Sequence, residues 1–207
     1  SYFYHNVYNQ GGVIILSLVR AGFGANVYGP PPEAGASPKW PEWYLTLPLM
    51  DFDDVVGYPA PMQMNMIKHH TPDGFWRETD ARNFEVMDFP AQHIVGYYDF
   101  MCWGSVYAYQ GMRHRSASAR SRNNQQLVLG PWDHGSLSNS KTGDVEFGEY
   151  SGIDVFEENM KWYDRWFRGV DADKSYPRVR YFMMGTNEWR ESTDWPPGES
   201  LLSPFYL

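Results

Sequence analysis

The chain has 207 residues, enough for one substantial core or for one domain plus part of another, and its 43% hydrophobic and 20% charged residues predict a globular protein rather than a disordered segment. The formal net charge of −8 at pH 7 argues against a nucleic-acid backbone as a partner. A single cysteine, Cys102, excludes an internal disulfide and a zinc site built from several cysteines.

The sequence holds no apolar run near the ~20 residues that span a bilayer, so we expect no membrane partner. It begins Ser1-Tyr2-Phe3-Tyr4-His5, without an initiator Met or a signal-like basic region. We therefore expect a segment of a longer polypeptide, and one free cysteine with no visible export signal favours the cytoplasm. The oligomeric state stays open, with a homo-oligomer among the alternatives.

The amino-acid composition of the first part of the chain changes near Tyr28. Before it, the apolar run Val13–Val19 fits a buried strand or a buried helix equally well, because periodicity does not separate the two in so short a run. From Tyr28 to Asp88, prolines cluster and methionines recur, while long periodic segments are few. This composition predicts an insertion of short helices and loops over a core.

Two short β-rich runs follow, each bounded by turn residues: His93–Tyr98 and Gln126–Gly130. They are candidates for buried parallel strands, and the stretch from Phe100 to about Arg120 has the length of a crossover helix between them. The sequence therefore predicts a βαβ unit.

The strongest helical pattern covers Val155–Arg168, with Asp154 and Glu157 as a capping pair and Gly169 as a stop. Its apolar residues follow helical spacing at Phe156, Met160, Tyr163 and Phe167. A strand is predicted over Val179–Met183, and the change of pattern places a domain boundary near Ser175.

Asp99 and His134 are the residues best placed for chemistry, because each follows one of the two predicted parallel strands. Ligands of open α/β sheets bind beyond the carboxyl ends of the strands, and neighbouring strands lie about 5 Å apart. An acid there can orient an imidazole that shuttles a proton. The spacing alone leaves two alternatives open, in which Asp99 caps the following helix and His134 is a hydrogen-bonded loop histidine.

The sequence motifs around Asp99 and His134 are more specific evidence of function than the spacing of the two residues. Gly96-Tyr97-Tyr98-Asp99-Phe100 and Gly130-Pro131-Trp132-Asp133-His134-Gly135 closely resemble two motifs of one α/β-hydrolase family. The family contains cocaine esterases, α-amino-acid ester hydrolases, glutaryl acylases and Xaa-Pro dipeptidyl peptidases. Lys161–Gly169 is similar to its last hydrolase-domain helix, and Pro177–Gly185 resembles the opening of its C-terminal jelly-roll domain.

The resemblance implies an α/β fold: the C-terminal half of an α/β-hydrolase domain with a mainly helical cap, followed by the start of a β-sandwich. The expected domains are a partial hydrolase domain over residues 1–175, with the cap at 28–88, and a jelly-roll beginning at 176–207. Asp99 and His134 are implied as triad residues, and their chain order is the one that α/β hydrolases use.

The family's nucleophile, a serine in a Gly-x-Ser-x-Gly turn, has no counterpart in these 207 residues. We expect the serine and the oxyanion-hole donors to come from an N-terminal part of the same hydrolase, and this segment alone to be inactive. A degenerate homologue that kept the pair and lost the serine is the alternative.

The implied activity is hydrolysis of a small ester, amide or peptide through an acyl-enzyme, with Xaa-Pro dipeptide release as a second reading. Phe100, Met101 and Trp103 are candidates for a substrate pocket, although core packing explains them as well. Outside the enzyme class, the aromatic content of 17% also suits a carbohydrate-binding module.

The remaining polar clusters are weaker candidates for a site, and no metal or cofactor is expected. Asp51, Asp53 and Asp54 read as a solvated acidic loop, and the adjacent His69 and His70 point too far apart to share a metal. Asp133 could act as a second acid, but the resemblance assigns that role to Asp99.

Overall fold

The computed structural model describes residues 4, 9–10, 13–15, 45–56, 59, 61–171, 176–201 and 203–204. The chain divides into two compact units, Ser1–Ala81 and Arg82–Leu207. Of the apolar run Val13–Val19, the part beyond Ile15 lies outside the described residues.

The first unit combines a two-stranded antiparallel ladder with short helices. Strands β1 (Asn9–Gln10) and β2 (Val13–Ile14) pair with each other. The helices are α1 (Phe52–Val56), α2 (Pro61–Lys68) and α3 (Gly74–Arg77), with a 3-10 turn at Leu49–Asp51. Their core contains Tyr4, Phe52, Met64, Met66, Ile67 and Trp76. The predicted short helices of the 28–88 stretch are thus present in its described part, while their role as a cap stays a prediction.

A four-stranded sheet organises the second unit, and its strands, in order across the sheet, are β3 (Ala91–Gly96), β4 (Gln125–Gly130), β7 (Val179–Met183) and β8 (Glu188–Ser192). Strands β3 (Ala91–Gly96) and β4 (Gln125–Gly130) run parallel in register from Ala91↔Gln125 to Gly96↔Gly130. Helices α4 (Cys102–Arg115) and α5 (Ala119–Asn123) connect them. The predicted βαβ unit is confirmed, with its crossover broken into two helices at Ser116.

One face of this sheet packs on α4 and forms the core of the second unit. Alternate residues of the strands point to that face, which is the arrangement a pleated strand imposes. The buried cluster consists of Val95, Tyr109, Leu127, Leu129, Val179 and Tyr181. All six residues of β4 are buried, as expected of a strand with neighbours on both sides.

Strands β7 (Val179–Met183) and β8 (Glu188–Ser192) complete the sheet. β7 runs parallel to β4, and β8 returns antiparallel to β7 through a turn in which Gly185 and Asn187 have positive φ. These residues, which the sequence assigned to the opening of a separate β-sandwich, lie in the sheet of the βαβ unit. The boundary expected near Ser175 does not divide this sheet, and the jelly-roll itself stays a prediction.

Helix α6 (Val155–Tyr163) begins where the sequence predicts, since the Asp154 carboxylate accepts the Glu157 N–H at 3.0 Å. It continues as a π-helical turn over Asp164–Arg168 and ends at Gly169 with φ 70°. The predicted apolar stripe is exposed rather than buried, with Phe156 75% and Phe167 81% accessible. On the other side of the helix, Glu158 pairs with Arg180 of β7 at 3.1 Å.

Between β4 and α6 the chain forms a small antiparallel hairpin, β5 (Lys141–Thr142) and β6 (Val145–Glu146). Gly143 turns it with φ 57°, a conformation that glycine adopts readily. Within the described part of the chain, no helix is both long and apolar enough to cross a membrane.

Candidate active site

Asp99 sits at the turn that leads from β3 into α4. Its N–H bonds to the Gly96 carbonyl at 3.2 Å, and its own carbonyl accepts the Cys102 N–H at 2.9 Å. One carboxylate oxygen, Oδ1, accepts the Met101 N–H at 2.7 Å. The side chain is 8% exposed, so the turn holds the carboxylate in one orientation.

His134 lies on the loop after β4, at the same edge of the sheet. Its Nδ1 is 3.0 Å from the second carboxylate oxygen of Asp99, Oδ2. The imidazole is 59% exposed. Because a carboxylate only accepts hydrogen bonds, this contact places a proton on Nδ1 and leaves Nε2 for exchange with a substrate.

The structure thus brings together the two residues that the sequence singled out. The helix-start alternative for Asp99 is also realised in part, since Oδ1 bonds at the entry to α4 while Oδ2 holds the imidazole. Such a pair can orient an imidazole and stabilise its protonated form, which is what a general base requires.

Two of the three candidate pocket residues, Phe100 and Met101, contact the pair directly. Phe100 packs on the His134 ring with a centroid distance of 4.6 Å and an interplanar angle of 38°. Met101 is 38% exposed and Trp103 is 58% exposed. Trp103 stacks on Tyr107, one helical turn further along α4, at 5.3 Å and 16°.

Hydrogen bonds fix the loop on both sides of His134. The Asp133 carboxylate accepts the Gly135 N–H at 3.0 Å, and the Ser136 hydroxyl accepts the Asp133 N–H at 3.1 Å. The Gly135 bond leads the contacts that hold the pKa of Asp133 below its usual range. Thr142 of the β5–β6 hairpin donates to the Pro131 carbonyl at 2.7 Å. Asp133 thus shapes the loop, while Asp99 holds the imidazole.

Trp132 anchors the same loop from inside the protein. Its side chain is fully buried, and its indole N–H donates to the Ser151 carbonyl at 2.8 Å. The ring also packs against Trp189 of β8, with centroids 5.6 Å apart. Sequence reasoning identified Trp132 only as part of a motif and missed Ser136, Thr142 and Ser151, whose contacts depend on how distant segments meet.

Other sequence candidates take structural positions. Cys102 packs at the edge of the core, and burial raises the pKa of its thiol, which disfavours the reactive thiolate. His69 bonds Asp73 at 2.6 Å and stacks on Phe75. Among the residues that the structure describes, no group of three His, Cys, Asp or Glu side chains is arranged to hold a metal ion.

Comparison with known proteins gives a family match over more than half of the chain. A model of the X-Pro dipeptidyl-peptidase (S15) family matches residues 4–136, which include Asp99 and His134. A cocaine esterase of Rhodococcus sp. (strain MB1 Bresler) is 35% identical over 122 residues, covering 57% of this chain and 20% of the esterase. A putative serine esterase of Mycobacterium bovis is 26% identical over 154 residues, covering 72% of this chain and 21% of that protein.

A solved structure supports the fold. An α-amino acid ester hydrolase, labelled with selenomethionine, aligns with a TM-score of 0.55 at 24% identity, over 71% of this chain and 25% of the hydrolase. The mixed α/β architecture with a parallel-strand sheet is therefore one that this hydrolase shares. The chain spans about a fifth of the length of the curated relatives that it matches.

Proposed function

This chain belongs to the X-Pro dipeptidyl-peptidase (S15) family of serine hydrolases, and from that premise we propose that it carries the acid–histidine half of an active site that cleaves esters or amides. The observation that supports this most directly is the 3.0 Å contact between His134 Nδ1 and Asp99 Oδ2 at the carboxyl edge of the parallel sheet. Family membership makes hydrolysis the expected chemistry, and the contact supplies its proton-transfer group.

In the proposed mechanism His134 acts first as general base. Nε2 takes the proton of a serine hydroxyl while the oxygen attacks the substrate carbonyl, and Asp99 stabilises the imidazolium that forms. His134 then returns the proton to the leaving alcohol or amine. A water molecule, deprotonated by the same Nε2, hydrolyses the acyl-enzyme and regenerates the serine.

The nucleophile and the oxyanion-hole donors are proposed to come from an N-terminal part of the same hydrolase. The 207-residue sequence contains no Gly-x-Ser-x-Gly segment, and its aligned part covers only 20% and 21% of two matching relatives. Without an activated serine, an Asp–His pair has no covalent route to an acyl-enzyme.

The substrate pocket is proposed to include Phe100, Met101 and Trp103. Phe100 touches the imidazole, and the other two are accessible residues at the start of the helix that follows Asp99. Apolar walls at this position would hold the acyl or leaving group beside Nε2.

The test is hydrolysis of a panel of p-nitrophenyl esters and Xaa-Pro anilides by this chain joined to a serine-bearing N-terminal segment, its own or that of the Rhodococcus cocaine esterase. We expect turnover of at least one substrate class. Asp99→Asn should lower kcat by on the order of 10⁴, because the imidazole loses the acceptor that fixes its tautomer. His134→Ala should lower it at least as far.

Asp133→Asn is the matched control, since it alters the neighbouring carboxylate in the same loop and should leave most of the activity. Equal losses in the Asp99 and Asp133 variants would contradict the assigned roles. If neither substrate class were cleaved by the joined protein, the proposed hydrolase function would be wrong.

Peptide release is the second candidate, and the family description favours it because it names X-Pro dipeptidyl-peptidases. Preference for Xaa-Pro anilides over p-nitrophenyl esters in the same panel would select it. The carbohydrate-binding alternative rests on exposed stacked aromatics, such as Tyr163 and Phe167 at 5.8 Å, and has no support from the family match.

A further inference from the structure

Two backbone bonds join the strand that leads to Asp99 with the loop that carries His134. The Tyr97 N–H donates to the Gly130 carbonyl at 2.8 Å, and the Tyr98 N–H donates to the Trp132 carbonyl at 3.0 Å. Tyr98 directly precedes Asp99, and Trp132 lies two residues before His134. The position of the Trp132 peptide therefore sets how far apart the two loops stand.

Gly96 makes this close approach feasible. A Cβ placed on Gly96 would lie 1.9 Å from the Trp132 carbonyl oxygen, so any side chain there would push the two loops apart. Gly130 has the same role toward the indole, because a Cβ there would lie 2.4 Å from the ring. Both glycines leave space that the tryptophan fills.

The indole of Trp132 is itself held at a fixed point. It donates to the Ser151 carbonyl at 2.8 Å, and Ser151 is 1% exposed. The Ser151 N–H and hydroxyl both bond to the Gly148 carbonyl, at 3.0 and 2.8 Å. The acceptor of the indole bond is thus the carbonyl of a buried residue, Ser151, which ends a hydrogen-bonded turn and is remote in sequence from Asp99.

His134 has little packing of its own, since its side chain is 59% exposed and its ring contact is with Phe100. Its orientation toward Asp99 must therefore come largely from the loop. We propose that Trp132 is a positioning residue: its indole bond to Ser151 and its carbonyl bond to Tyr98 hold His134 Nδ1 against the Asp99 carboxylate. The catalytic consequence rests on the proposed function, whereas the geometric one does not.

The readout is the tautomer of the neutral imidazole, measured by ¹⁵N NMR on the 207-residue chain with labelled histidine. A proton on Nδ1 reports the bond to Asp99, and a general loss of stability does not by itself change that ratio. In Trp132→Phe, which keeps a ring and removes the N–H, we expect the Nδ1–H to Nε2–H ratio of His134 to fall at least about threefold, because the loop loses a buried hydrogen bond.

Trp189→Phe is the matched control. Trp189 also donates its indole N–H to a backbone carbonyl, that of Tyr150 at 2.7 Å, and it packs on Trp132, but it lies on β8 rather than on the His134 loop. The His134 tautomer ratio should stay at its wild-type value in this variant. Equal changes in the two variants would overturn the proposal, as would an unchanged ratio in a folded Trp132→Phe protein.

If Trp132→Phe fails to fold, benzothienylalanine at position 132 replaces it, because that residue keeps the volume of tryptophan and exchanges the N–H for sulfur. The same threefold fall is expected, and an unchanged ratio again overturns the proposal. In the serine-joined protein, Trp132→Phe should lower kcat about 10- to 100-fold with little change in KM. A joined wild-type protein without activity would refute the hydrolase function while leaving the tautomer result intact.

Discussion

Asp99 uses its two carboxylate oxygens for different purposes. Oδ1 is bound by the Met101 N–H at the entry to α4, and Oδ2 is bound by the His134 imidazole. The first bond fixes the carboxylate in its turn, and the second transmits that order to an exposed ring. At the scale of single residues, the candidate site is therefore pre-organised from the buried side outward, with the acid 8% exposed and the base 59% exposed.

A different histidine carries a pH-dependence prediction. His93 on β3 contacts Gln125 at 3.3 Å and the edge of Tyr109, and burial lowers the pKa of its imidazole below 6.5. In the unfolded chain the imidazole has a pKa of about 6.5. Just below that pH the unfolded state therefore binds a proton that the folded state does not bind. The free energy of unfolding should hold above about pH 6.5 and fall as the pH drops toward the lowered pKa of the folded state.

Urea unfolding at about pH 7.5 and about pH 5.5 measures this slope. His93→Gln, which has no titrating ring, should flatten it. His114→Gln changes a histidine on α4 that is 54% exposed, and it should leave the contribution of His93 in place. A wild-type slope retained in His93→Gln would show that the loss of stability has another source.

At the scale of elements, helix α6 is held by its ends and its polar face. Asp154 caps it, Glu157 pairs with Lys161 at 2.9 Å, and Glu158 pairs with Arg180 at 3.1 Å. Its apolar stripe points to the solvent side and contributes little hydrophobic burial, which leaves Trp162, packed edge-to-face on Tyr176 at 5.8 Å, as its aromatic contact with the rest of the unit. Local capping then accounts for a larger share of its stability than usual.

Removal of the cap gives a direct test. Asp154→Ala should lower the free energy of unfolding by about 1 kcal/mol, because the Glu157 N–H loses its acceptor. Asp154→Asn keeps a capping oxygen and should retain most of that stability in the same urea titration. If the alanine variant unfolds like the wild type, α6 does not belong to the cooperative unit.

The sequence predicted the elements whose signals are local. Strands β3 and β4 are visible in the sequence as β-rich runs between turn residues. The start of α6 at Val155 is visible because the capping residue Asp154 precedes it. The pairing of β7 with β4 could not be predicted, because the residues of Val179–Met183 do not indicate which strand lies next to them in the sheet. The exposed stripe of α6 was also unforeseen, because helical spacing reveals an apolar face but not what it meets.

The candidate site divides in the same manner. Asp99 and His134 were identifiable because each lies in a specific sequence motif and because their order along the chain is that of α/β hydrolases. The structure places the two side chains in contact. Ser151 and Thr142 were not identifiable, because each acts through polar contacts with another segment of the chain. Such contacts depend on how the folded segments meet, and they produce no periodic pattern in the sequence.

At the scale of the whole molecule, the sheet, the second core cluster and the candidate site all belong to the unit Arg82–Leu207. The first unit has its own core around Phe52 and Trp76. We therefore expect a polypeptide of residues 82–207 to fold without residues 1–81 and to unfold in one cooperative transition with urea.

The measurement is a urea titration of the 82–207 polypeptide followed by far-UV and near-UV circular dichroism, with ¹⁵N NMR of His134 as a local probe. Coincident transitions and the wild-type tautomer ratio are expected. A gradual transition, or loss of near-UV signal in water, would mean that the second unit depends on the first.

The acid and the base of the candidate site are separated by one crossover, within the contiguous stretch from Ala91 to Ser136. The register of a single parallel strand pair brings their two loops to one edge of the sheet, and the Trp132 indole that anchors the His134 loop is bound by the Ser151 carbonyl. A recombination event that exchanges residues 91–151 between related genes would transfer both residues together with this anchor. The proposed proton-relay half of the site is thus encoded by one contiguous segment of the chain.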